Sequence, residues 1–165
     1  MQSEQEAAER QVENVEITKS EQKFINQVAC YLGNSPRRIK RYANTYRLLK
    51  SGLTHREARL FTASGESQDN YKIVLVFLAV VTGAPTLAPR IFSKAFSLRE
   101  KFDVDTLIQE SGLNDVTTVT NEAINAKGAL ELLGDLKITQ VEIDTWVPRV
   151  MRYAFRLTPV SLVEA

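Results

Sequence analysis

Apolar residues recur along this chain with helical spacing almost throughout. Phe24, Ile25, Val28, Ala29 and Leu32 fall on one face of a helix that Thr18 and Glu21 open with capping-box spacing and Gly33 closes. Ile39, Tyr42, Ala43, Tyr46 and Leu49 mark the inner face of a second helix, with Ser35 as its cap and Pro36 as its first residue. Arg37, Lys40, Arg41, Arg47 and Lys50 occupy the remaining positions and read as the solvated side. Ser51-Gly52 ends that helix, Thr54 with Glu57 opens a short basic one through about Phe61, and the aperiodic stretch from Ala63 to Asn70 is a loop.

Tyr71 to Thr82 has almost no polar face, so the pattern predicts a helix buried on most sides, capped by Asp69 or Asn70. Its β-branched residues also suit a buried strand, but length and neighbours favour helix. Gly83-Ala84-Pro85 breaks the chain before a helix near Pro89 that carries Ile91, Phe92, Ala95, Phe96 and Leu98. Shorter helices are expected over Val104 to Glu110 and Ala123 to Leu133. Asn114 to Thr120, between them, is a candidate strand without a pairing partner. A last helix starts near Thr139 and holds Val141, Ile143, Trp146, Val147, Val150, Met151, Ala154 and Phe155 in register, with Pro148 expected to kink or restart it. The fold class is therefore all-α: a single domain of about seven or eight helices over 18–165, preceded by an acidic linker or frayed helix at 1–17.

Composition adds little until charge is placed along the chain. Residues 1–22 carry two basic and six acidic side chains, residues 23–59 nine basic and one acidic, so an overall balance of +1 conceals a local +8. Such a block is an electrostatic footprint for an anionic partner, and a solvated helix face gives the same pattern. One cysteine, Cys30, allows no internal disulfide, and the polar start lacks a secretory leader, which together fit a cytoplasmic protein. The longest apolar run, Ile73 to Val81, is about half of what a membrane span requires.

Catalytic chemistry is not evident. The seven glycines form neither a Gly-x-x-x-x-Gly-Lys-Ser/Thr loop nor a Gly-x-Gly-x-x-Gly turn, so the chain has no nucleotide-binding motif of its own. His55 is the only histidine and reads as a solvent-facing or capping residue, with no zinc site of ordinary spacing available. Cys30 lacks a base and reads as a small packing residue. Tyr42, Tyr46, Trp146, Tyr153 and Phe155 are read as core rather than as platforms for bases, and Arg149, Arg152 and Arg156 as a solvated stripe. The exception is Arg37-Arg38. Cations at a helix start sit where unpaired N–H groups and the helix dipole already favour an anion, which points to a phosphate or carboxylate nearby.

Gly33-Asn34-Ser35-Pro36-Arg37-Arg38-Ile39-Lys40-Arg41-Tyr42-Ala43-Asn44-Thr45-Tyr46-Arg47-Leu48-Leu49 resembles the Ser-Pro-Arg-x-x-Lys-Arg-Phe-x-Asn-x-Tyr-Arg-Leu segment near the C-terminal end of KAP-family P-loop NTPases. The apolar helix ending in Val81-Thr82-Gly83-Ala84-Pro85 and the terminal Arg152-Tyr153-Ala154-Phe155 are similar to the stretches downstream of that segment in such proteins. Tyr42 stands where phenylalanine is commoner, and the nucleotide-binding core is missing. The resemblance implies the non-catalytic helical lid of a larger ATPase, of the kind that AAA+ and STAND proteins set against the nucleotide. On that reading Arg37 contacts the β/γ-phosphates with Arg38 or Arg41 beside it, and Lys40, Arg41 and Asn44 help dock the lid. ATP with Mg belongs to the parent protein, whose N-terminal P-loop core is the expected partner. Self-association through the surface meant for that core is a further expectation. Two other readings stand beside it: a basic helical module binding nucleic acid, although the second helix has no base-reading Asn/Gln set at its exposed start, and a protein-interaction module.

Overall fold

The computed structural model describes residues 16–62, 69–98, 101–115, 117 and 119–154. The linker as far as residue 15, most of the 63–70 loop, Phe155 and Arg156 lie outside them. Among these residues eight α-helices succeed one another: α1 Lys19–Val28, α2 Pro36–Ser51, α3 His55–Thr62, α4 Asn70–Gly83, α5 Ala88–Ser97, α6 Val104–Glu110, α7 Asn121–Glu131 and α8 Gln140–Ala154, with a 3-10 turn at Ala29–Tyr31. The described residues contain no strand. Where one was expected, over Asn114 to Thr120, Val116 and Thr118 lie outside the described residues, and Asp115 Oδ1 accepts bonds from both the backbone N–H and the hydroxyl of Thr117.

Helix α4 is the axis of the core. Val74, Leu75, Val76 and Phe77 are four consecutive residues with no exposed surface, and four consecutive residues point to every side of a helix. α7 and α8 pack along it most extensively, and α1, α2 and α3 close the remaining sides. Each fully buried Leu, Val or Phe there contributes about 1.5–3 kcal/mol, so this shared burial, more than local propensity, decides the helical state of α4. Phe61 of α3 completes the core between Trp146 and Tyr46, with ring centroids 5.1 and 6.1 Å away.

Local signals set the helix starts, with exceptions. Thr18 and Glu21 cap α1 reciprocally, at 3.2 and 2.7 Å. Thr54 and Glu57 do the same before α3, at 3.3 and 2.8 Å. Ser35 holds the cap position of α2 in extended conformation, but its side chain makes no capping bond, leaving Pro36 with its fixed φ to start the helix. Asp69 likewise makes no capping bond, its carboxylate pairing with Lys72 instead, while the Asn70 amide donates to the Leu60 carbonyl. Pro148 does not restart α8, which continues to Ala154.

Two glycines make room for Tyr31. A Cβ on Gly83 would lie 2.0 Å from the Tyr31 carbonyl oxygen, and one on Gly128, in the middle of α7, 2.2 Å from the Tyr31 ring. Tyr31 is thereby wedged between α4 and α7. Gly33, at φ +84°, turns the chain from α1 into α2 in the left-handed region expected of it.

Four sequence expectations need correction. Ile39 is 43% exposed because residues 36–41 all project from the body, so the inner face of α2 begins only at Tyr42. Lys50, placed among the solvated cations, is buried. Cys30 is exposed, its thiol donating to the Gln27 carbonyl at 3.3 Å. Arg149 is half-buried, stacked over Trp146 and paired with Glu57, so it is no part of a solvated stripe.

Candidate anion-binding groove

The projecting start of α2 carries the site. Arg37, Arg41, Asn44 and Leu48 succeed one another at intervals of four, three and four residues, which aligns them in a single stripe along the helix. With Lys40 and Thr45 beside the stripe and Tyr153 from the last turn of α8 as the facing wall, they line an open groove of about 670 Å³. That volume lies within the range of small-ligand sites. Among the described residues its lining holds three cations and no acidic residue. Among the described residues neither Arg37 nor Lys40 is in an ion pair, and both are exposed.

The groove divides the residues expected to contact phosphate. Arg37 and Arg41 line it together with Lys40 and Asn44. Arg38 is not part of its lining and folds back over the turn, with Nη1 3.1 Å from where a Gly33 Cβ would stand. Leu48 is a lining residue that sequence reasoning missed, and Tyr153, read there as core rather than as a platform for bases, is half-buried and lines the groove. Leu48 was legible from the helical arithmetic, since an apolar side chain in line with Arg37, Arg41 and Asn44 has to face the same way. Nothing in the sequence brings Tyr153 to α2.

What holds α2 in place is a buried charge cluster. Glu21 of α1, with no exposed surface, accepts bonds from Lys50 Nζ at 2.9 Å on each carboxylate oxygen. The buried Tyr46 hydroxyl donates to Glu21 Oε1, and Lys50 also donates to the Glu16 carbonyl at 2.6 Å. Burial alone would raise the Glu21 pKa, but bonds from Tyr46, Lys50 and the Thr18 backbone outweigh it and hold the carboxyl below its ordinary 4.5. Burial, and the Glu21 charge beside it, push the Tyr46 hydroxyl far up, so it remains a donor. The C-terminal turn of α2 is thus tied to the start of α1, while its first six residues project toward solvent.

Other candidates are less suggestive. His55 is exposed. No three His, Cys, Asp or Glu residues among those described are placed to hold a metal. A smaller cavity of about 460 Å³ lies between residues 101–104 and 134–140, but there Asp103 is occupied in capping α6 and the Thr139 N–H in bonding Glu142. No helix among the described residues is long and apolar enough to cross a membrane. Comparison with protein-family models, with curated proteins and with solved structures gives no match for the chain.

Proposed function

We propose that this chain is the non-catalytic helical lid of a KAP-type P-loop ATPase of the cytoplasm, and that its groove meets the nucleotide phosphates. The observation that carries the reading is the groove itself, where Arg37 and Lys40, with Arg41 beside them, meet without an acid among the described lining residues. The resemblance of residues 33–49, which include these three cations, points the same way. An arginine suits the task because its planar donors match phosphate oxygens and its charge does not titrate. Arg37 is the leading contact to the β/γ-phosphates, Arg41 and Lys40 its neighbours, and Arg38 a residue of the turn. The nucleotide and its Mg belong to the N-terminal P-loop core of the parent protein, against which the exposed Ile39 and Asn44 can dock. Loss of the γ-phosphate weakens the contact and lets the lid reorient.

The test is a nucleotide titration of the parent P-loop core with and without this chain. The expected outcome is that the chain tightens ATP binding by the core more than ADP binding, and that Arg37→Ala removes the difference. Unchanged affinity in the presence of wild-type chain would sink the lid reading. Duplex or RNA binding that weakens steeply with salt would then assign the basic block to nucleic acid.

A further inference from the structure

The groove is not uniform along its length. Arg37, Lys40 and Arg41 stand at one end, the polar Asn44 and Thr45 in the middle, and Leu48 with Tyr153 at the other. Arg37 and Leu48 are separated by about 16 Å along the axis, at about 1.5 Å per residue. Leu48 is 56% exposed although apolar, and α2 could carry a polar side chain there without loss. Tyr153 is half-buried, and its hydroxyl lies against Gly52, 3.4 Å from where a Cβ would stand. Its ring packs in part against the core but has no aromatic or cation partner among the described residues.

A groove with cations at one end and an aromatic and an aliphatic side chain at the other matches a ligand with an anionic head and a flat apolar tail. We infer that the Leu48–Tyr153 end is a subsite for the planar base of a nucleotide whose phosphates lie at the Arg37 end. The inference deepens the phosphate reading above and rests on it. Stacking on an aromatic side chain is tolerant of base identity, so the subsite binds adenine and guanine nucleotides alike. It also sets the direction of the ligand, phosphates toward the start of α2 and base toward its end.

The experiment is a titration of the intact chain, monitored by backbone and tyrosine-ring NMR shifts, with ATP, tripolyphosphate and adenosine as separate ligands. The expected result is that ATP binds roughly tenfold more tightly than tripolyphosphate, the gain of about one stacked base. Tyr153→Leu should close that gap while leaving tripolyphosphate binding unchanged, and Leu48→Gln, at an exposed position that does not threaten folding, should narrow it. Equal binding of ATP and tripolyphosphate, or a gap that survives both substitutions, overturns the base subsite and leaves the phosphate contact standing. Absence of binding by either ligand also overturns it, and the lid reading is then judged separately by whether the chain still tightens ATP binding to the core.

Discussion

Replacing Lys50 with methionine tests the account of how α2 is held. The substitution keeps the length and most of the apolar stem of the side chain but strands the Glu21 carboxylate, which has no exposed surface. At 2.9 Å and an effective dielectric of about 20, the attraction lost is about 6 kcal/mol. Desolvation of both ions cancels much of that, so the intact pair is worth little net, whereas a buried charge left without its partner costs about 3–5 kcal/mol. The thermodynamic consequence is an ordering. Lys50→Met alone should lower stability by about 4 kcal/mol, while the triple change Glu21→Leu, Tyr46→Phe, Lys50→Met, which leaves no orphaned polar side chain, should regain most of it.

Urea unfolding monitored by Trp146 fluorescence suits the measurement, because the chain has one tryptophan and it is buried against Phe61. With a slope of about 2 kcal/mol/M the single variant's midpoint should fall by about 2 M. Acid supplies an internal control. In the wild type the folded-state pKa of Glu21 lies below its ordinary 4.5, so its contribution is complete above that value and is lost as pH falls through the folded pKa. In Lys50→Met the stranded carboxyl titrates higher, so the gap between variant and wild type should shrink as pH drops. A single variant that loses less than about 1 kcal/mol, or a triple variant as unstable as the single, would refute the argument.

Glycine in mid-helix normally costs about 1 kcal/mol relative to alanine, so Gly128→Ala would stabilise an ordinary α7. Here the added methyl meets the Tyr31 ring at 2.2 Å, and a thermal melt should show destabilisation of about 1–3 kcal/mol instead. Glu57→Gln removes the Arg149 pair that joins α3 to α8; bonds from Arg149 and the Thr54 backbone hold the Glu57 carboxyl down at about 2. Its contribution is therefore present above the ordinary 4.5 and lost toward about 2, and acid titration should show the variant lacking that component, about 1 kcal/mol for a half-exposed pair.

The helix sequence, the two capping boxes and the buried, largely apolar α4 were legible because each depends on residues within one or two turns of each other. The Lys50 misplacement shows where that stops. On a helical wheel Lys50 is a cation near the end of a basic helix, a favourable solvated position; only the approach of Glu21, 29 residues earlier, turns it inward. Ile39 failed for the opposite reason. Its angular position is inward, but periodicity cannot say how far along its axis a helix is covered, and α2 outruns its neighbours by its first six residues. At the groove, the α2 stripe was readable and the wall from α8 was not, since Tyr153 arrives through packing around α4.

The same helix thus treats its charges in two ways, and the contrast argues for function at the projecting end. Lys50 is neutralised by a carboxylate and saturated with acceptors, as a fold-supporting cation must be when buried. Arg37 and Lys40, exposed and in no ion pair among the described residues, stand three residues apart, close enough to repel, near the positive end of the helix dipole, and share a groove with no acid among its described lining residues. Each such like-charge neighbour costs a few tenths of a kcal/mol. Local preference would put glutamate or aspartate in this first turn. A chain that is locally consistent at its caps, core and buried pair, and inconsistent at this one stretch, bears there a small instability of the kind that the proposed anionic ligand would relieve.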